Sequence, residues 1–159
     1  MDALLRIRRS ILTALERLSW LPPTLSRLAI GVVFIGTGWG KLHNLDKINS
    51  FFAELGIPAP GFNAVLASSA ELICGALILV GLFTRLASLP LLVVMVVAIL
   101  TAKRGDIGGL SDLLGFLETL YVVVLSWLVT AGPGPLSLDR LALRALAGPP
   151  ASGAAPAHN

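Results

Sequence analysis

Only one cysteine, Cys74, occurs in the 159 residues, and it sits inside an apolar run. No intrachain disulfide can form, so the redox compartment is not readable from it. Cys74 reads first as a small buried core residue rather than a redox thiol. Histidine is almost as scarce. His43 and His158 stand far apart, so the sequence has no haem-ligand pair and no Cys/His group at metal-ligand spacing. No metal site is assigned, and His43 reads as an exposed loop residue. A CxxC pair and a dinucleotide-binding glycine fingerprint are also missing. Charge is the largest deficit. Charged residues make up 13% of the chain, against about 25% in soluble domains.

The counterpart of that deficit is a hydrophobic content of 55% and a mean hydropathy of +0.85. A water-soluble chain of this length cannot hide that much apolar surface. A bilayer asks for no polar surface, and the lipid bilayer is the first partner expected. The net charge of +3 does not point to nucleic acid. Arg6, Arg8, Arg9 and Arg17 precede any apolar span, and no aromatic residues interleave with a basic patch. This basic start runs into Trp20-Leu21-Pro22-Pro23 without the apolar stretch and small-residue site of a cleavable signal peptide.

Residues 3 to 20 read as an amphipathic helix. Leu4, Ile7, Ile11, Leu15 and Leu18 recur at spacings of three and four, opposite Arg6, Arg9, Thr13, Glu16 and Arg17. Such a helix lies among lipid headgroups or packs on the cytoplasmic end of a bundle; both use the same apolar stripe. Pro22-Pro23 is expected to end it. Four apolar spans follow: Thr24 to Gly40, Asn63 to Leu82, Leu86 to Thr101 and Leu113 to Thr130. Pro90 is expected in the first turn of the third. Ser111 or Asp112 is expected to cap the fourth. Gly36 and Gly40 have GxxxG spacing, which serves packing within one bundle or a homodimer. The connection 41–62 holds a short interfacial helix, then breaks at Gly56-Ile57-Pro58-Ala59-Pro60-Gly61. Residues 136 to 146 form one more short amphipathic helix, and the Ala/Pro/Gly-rich tail beyond is expected to be disordered.

The fold class is therefore all-α, an integral membrane four-helix bundle with an N-terminal amphipathic helix. It divides into a segment 1–23, a transmembrane domain 24–146 and a tail 147–159. Short loops make neighbouring spans antiparallel. One side then carries Arg6, Arg8, Arg9, Arg17, Arg27, Arg85, Arg140 and Arg144, and the other Lys41, Lys47, Lys103 and Arg104. The basic excess predicts a multi-pass protein of the cell membrane with both termini in the cytoplasm.

Two carboxylates fall within spans, Glu71 and Glu118. An ionised side chain in hydrocarbon costs at least about 2.5–3.5 kcal/mol, so each needs a partner or a use. In this topology both lie in the outer half of the bundle, where Lys41, Lys103 and His43 also end. Ser68, Glu71, Cys74 and Gly75 share one helical face, and Tyr121 follows Glu118 by three. Arg27 and Arg85 sit at the opposite end, where their stems can snorkel outward. Glu71, Glu118, Lys41, Tyr121, Arg85 and Arg27 are the candidate polar site. Ion pairs that only set helix register, a site for a proton or a quinone head group, and a subunit contact all remain open. Trp39 and Trp127, near opposite span ends, suit an aromatic belt.

The spacing of Arg27, Gly31, Gly36, Gly40, Lys41 and Leu42 is similar to the opening motif of DoxX-like membrane proteins. So is F-x-x-x-G-I-P-x-P from Phe52 to Pro60. The run Ala70 to Ala87, with its Glu, Gly, Gly-Leu and Thr-Arg, looks like the family's second-helix signature. Gly132 to Asp139 resembles its usual ending. The resemblance covers roughly residues 25 to 140, and it implies four transmembrane helices. For function it implies a membrane subunit or accessory factor of a quinone-linked or stress-related oxidoreductase system, with a membrane or periplasmic protein partner. The alternatives are a quinone-binding oxidoreductase in its own right and a small carrier using the intramembrane carboxylates. Redox chemistry here would draw on a bound quinone or on the partner, since no catalytic or cofactor motif is present.

Overall fold

The structure is a computed structural model that describes residues 8, 9, 12, 13 and 15–146. The expectation of a disordered tail lies outside the described residues. Among the described residues the chain is helical, with no strand. The N-terminal helix α1 is described at residues 8, 9, 12, 13 and 15–17. A turn at Leu18–Trp20 tightens through bonds of the i−3 type, Leu18 N to Leu15 O and Leu21 N to Leu18 O. Then come α2 (Leu21–Leu42), α3 (Leu45–Glu54), α4 (Pro60–Val80) and α5 (Thr84–Thr101). A 3-10 turn at Arg104–Asp106 leads to α6 (Leu110–Gly115), α7 (Leu117–Ala131) and α8 (Leu138–Leu146).

Several boundaries differ from the sequence-based expectation for physical reasons. Pro22 and Pro23 open α2 rather than close α1, because a missing N–H costs nothing in the first turn. Helix α5 starts at Thr84, which places Pro90 inside the helix and removes its bond to the Leu86 carbonyl. The fourth span is broken. Phe116 is extended, with ψ 139°, and separates α6 from α7. Asp112 caps differently from expectation: its Oδ2 accepts from Gly108 N at 3.0 Å, in the loop before α6.

Helices α2, α4 and α5 are long and apolar enough to cross a membrane. Their 22, 21 and 18 residues correspond to about 33, 31 and 27 Å. Helix α7, with 15 residues, reaches only about 22 Å. The packing order is a ring: α2 on α4, α4 on α5, α5 on α7, and α7 back on α2. Ile30, Phe34, Ile78, Ala87, Leu91, Met95, Leu125 and Leu128 fill the centre. Residues such as Val32, Ile73, Val93, Leu100 and Val123 stay on the outside.

The closest contact is between α2 and α4, and it runs through Gly31, Gly38 and Gly75. A Cβ on Gly38 would stand 2.5 Å from Leu72 N and 2.8 Å from Ser68 O, and one on Gly31 2.7 Å from the Leu79 Cβ. The GxxxG pair is not the seam, because a Cβ on Gly36 or Gly40 would meet nothing within 4 Å.

Candidate functional site

Helix α2 carries Lys41 in its last turn, and α4 carries Glu71 eleven residues after Pro60, about 16 Å along its axis. The glycine seam brings the two backbones close enough for these side chains to meet. Lys41 Nζ donates to Glu71 Oε1 at 2.5 Å, and this is the only salt bridge among the described residues. The two ends of the pair differ in surroundings. The Lys41 side chain is 32% exposed and that of Glu71 is 1% exposed. Glu71 Oε2 is buried and meets no donor. Ser68, one turn before, is fully buried and spends its hydroxyl on Ala64 O at 2.6 Å. Cys74 is half-buried against the core. Ser68, Glu71 and Gly75 of the expected stripe therefore face α2.

The other candidates do not join this pair. Tyr121 packs its ring on Phe34, with centroids 5.5 Å apart and planes tilted by 58°, and no hydrogen bond links its hydroxyl to Glu71. Glu118 is half-buried in the first turn of α7, just after the break at Phe116. There its charge is favoured by the free N–H groups of the helix end rather than by a cation. Lys103 lies over the Phe116 ring at 5.5 Å instead of on a carboxylate. His43 is exposed; its Nδ1 lies 2.9 Å from Trp39 O, and its ring stacks on Trp39.

Arg27 and Arg85 lie at the other end. Arg27 is fourteen residues before Lys41, about 21 Å along α2. It does not snorkel. Only 3% of it is exposed, its Nη2 donates to Leu136 O, and its Nε and Nη1 meet no acceptor. Arg85 is exposed and donates through Nη2 to Thr130 O at 3.2 Å. Arg85 thus holds the last turn of α7, and Arg27 ties down the segment that follows it. That segment makes further bonds across the α4–α5 turn. Asp139 N donates to Gly81 O at 3.1 Å, and Phe83 N donates to Asp139 Oδ1 at 2.9 Å. Gly81 sits at φ +74°, and a Cβ there would run into the Arg27 guanidinium. Ser137 Oγ accepts from Arg140 N at 3.3 Å and caps α8. Residue reasoning named Gly38 among four glycines that allow close helix approach, but missed Gly81, Leu136 and Asp139 as partners. Ser137 ahead of an amphipathic run was a usable cap signal, whereas a leucine carbonyl carries none.

The DoxX family model matches residues 23–104, which span α2 to the start of the 3-10 turn. The chain belongs to the DoxX family. It is 38% identical to the membrane protein Rv3486 of Mycobacterium tuberculosis over 125 residues, 72% of this chain and 77% of that protein. It is 30% identical to the inner membrane protein YphA of Escherichia coli, over 73% of this chain and 86% of YphA. It is 32% identical to a Bacillus subtilis protein named "Putative oxidoreductase CatD", over 72% of this chain and 82% of CatD. No solved structure matches this chain. Lys41 and Glu71 fall within the part that defines this DoxX protein as a family member. Glu118, Tyr121 and the strap at Gly132–Asp139 lie beyond it.

Proposed function

We propose that this DoxX protein is a membrane subunit of an oxidoreductase system, working as a rigid contact element for a redox partner. The observation that carries this reading is the Lys41–Glu71 pair, buried at its carboxylate, beside the Gly31–Gly38–Gly75 seam. A buried ion pair fixes register more than it stabilises, and backbone contact through glycines leaves the α2–α4 unit little freedom to breathe. The oxidoreductase assignment draws on the printed name of the Bacillus subtilis relative. In this reading α6 and α7 together make a fourth crossing of the cell membrane, and both termini are cytoplasmic because the basic residues concentrate there. Affinity purification from native membranes at native expression level tests it. A redox protein with flavin or haem absorbance is expected at fixed ratio with the chain. Elution of the 16.6 kDa chain by itself in its detergent micelle overturns it.

One observation favours a second reading, a quinol site. Glu71 Oε2 is a buried acceptor without a donor, and an unmet buried acceptor costs about 1–3 kcal/mol. A quinol hydroxyl is a donor of the right kind, and the partly exposed Lys41 marks the side from which it would arrive. Glu71 would hold the hydroxyl and Lys41 would orient the carboxylate, while the quinol itself would supply the redox chemistry. Solvent extraction of the purified protein should then yield a quinone absorbance that Glu71→Gln abolishes. Protein that carries no quinone before substitution overturns this second reading and leaves the first intact.

A further inference from the structure

Two helices from opposite ends of the chain lie at the Arg27 end of the molecule. Helix α1 runs into α2 through the turn at Leu18–Trp20. Helix α8 hangs from the strap, held there by Arg27, Gly81 and Phe83. The strap also touches the start of α2, because a Cβ on Gly134 would stand 2.9 Å from the Pro23 ring. Each helix keeps its described leucines uncovered. Leu12 and Leu15 on α1 and Leu18 in the turn after it are exposed, as are Leu138 and Leu141, one turn apart on α8, with Leu15 at 58% and Leu141 at 59%. Nothing else among the described residues covers them.

Charge decides what does. Arg8, Arg9, Arg17, Arg85 and Arg140 are all exposed at this end. Among the described residues the carboxylates set against them are Glu16 and Asp139, and Asp139 is already engaged by Phe83 N. A leucine stripe flanked by arginines is complementary to a surface that is apolar below and anionic above. That is the headgroup region of an anionic leaflet, where such helices lie in the plane with the apolar side down. Guanidinium forks match phosphate oxygens two at a time. The spans place this end at the leaflet surface already, so no separate recruitment step is required.

We propose that α1 and α8 form a collar that docks on anionic phospholipid headgroups around the Arg27 end of the bundle. The collar anchors the first span and the strap in one leaflet, which sets the depth of Lys41 and Glu71 from the far side.

The full chain in nanodiscs tests this. With Cys74→Ser as background, Leu15→Cys or Leu141→Cys carries an environment-sensitive nitrobenzoxadiazole label. Discs of phosphatidylcholine alone are compared with discs containing one-third phosphatidylglycerol. In the anionic discs the emission should shift to the blue and the label should resist an aqueous quencher. Both effects should fade in neutral discs, in high salt, and with Arg8→Gln, Arg9→Gln and Arg17→Gln for position 15 or Arg140→Gln for position 141. The docking constant should weaken about fivefold for each arginine removed. A label that stays wet in both lipids overturns the proposal. So does a blue shift indifferent to lipid charge and to the arginines, which would mean apolar burial alone. Protection that appears only in native membranes also overturns it, in favour of a protein partner. Thermal unfolding of the arginine variants in detergent should stay unchanged; a loss there would give these side chains a fold-holding role instead.

Discussion

At one end of the α2–α4 pair a buried carboxylate faces a lysine side chain; at the other a buried guanidinium faces a leucine carbonyl. Both charges lie on span helices in an all-helical membrane protein, and their solutions differ in kind. Glu71 is met by an opposite charge whose own end remains a third exposed. Arg27 is met by backbone from a segment more than a hundred residues away, and two of its donors are left over. An ion pair is specific to two side chains and fails when either is lost. A carbonyl partner belongs to the path of the chain and survives almost any substitution at Leu136. The Lys41 end therefore depends on residue identity, and the Arg27 end on the course of the strap.

Four measurements would sharpen or break that contrast. The largest effect should come from the seam on which the Lys41–Glu71 pair depends. Gly38→Val drives a side chain into Leu72 N and Ser68 O, which are backbone atoms and cannot swing aside. A loss of about 3 kcal/mol or more is expected, at the upper end for overpacking, seen as a collapse of thermal stability in detergent. Lys41→Met should follow. It leaves Glu71 alone in the interior, and such single losses cost about 3 kcal/mol at the low end. The double variant Lys41→Met/Glu71→Met should recover most of that loss in the same assay. If it does not, the pair is more than a mutual neutralisation.

The Arg27 end should respond more weakly. Arg27→Met removes one charged hydrogen bond but also two unmet donors, so the net change should stay near about 1 kcal/mol. Hydrogen exchange should quicken at residues 136–141 while α2 and α4 keep their protection. A cost equal to that of Lys41→Met would break the comparison, because it would make the guanidinium as indispensable as the ion pair. Smallest of all, Glu118→Gln should change stability by within about 0.5 kcal/mol. Its carboxylate sits in a helix first turn without a cation, so deletion of the charge loses only a helix-end attraction.

How much of this was readable beforehand depends on the range of each interaction. Helices α2, α4, α5 and α8 follow from runs of apolar residues and their breakers, which are local. The polar face through Ser68, Glu71 and Gly75 follows from helical spacing alone. The meeting of Lys41 with Glu71 was within reach, since a carboxylate in lipid must find a base and few bases were on offer. The placement of Glu118 was not, because the break at Phe116 has no proline or cap to announce it. The choice of glycines also escaped local reasoning. Gly36 and Gly40 have the spacing that helix pairs use, yet Gly31 and Gly38 make the contact, because the rotation of α2 about its axis is settled by where Phe34 and Ile30 find the core.

Composition and periodicity by themselves determined that this chain is an all-helical membrane protein, because the cost of apolar surface in water and of charge in lipid acts on every residue independently. The order of elements and the inward face of α4 came with that. The tertiary structure alone decided which glycines form the seam, that Arg27 turns inward to a carbonyl, and that the strap carries α8 back to the α4–α5 turn. Those outcomes rest on pairwise distances between segments far apart in the chain, and such distances exist only once the helices have packed.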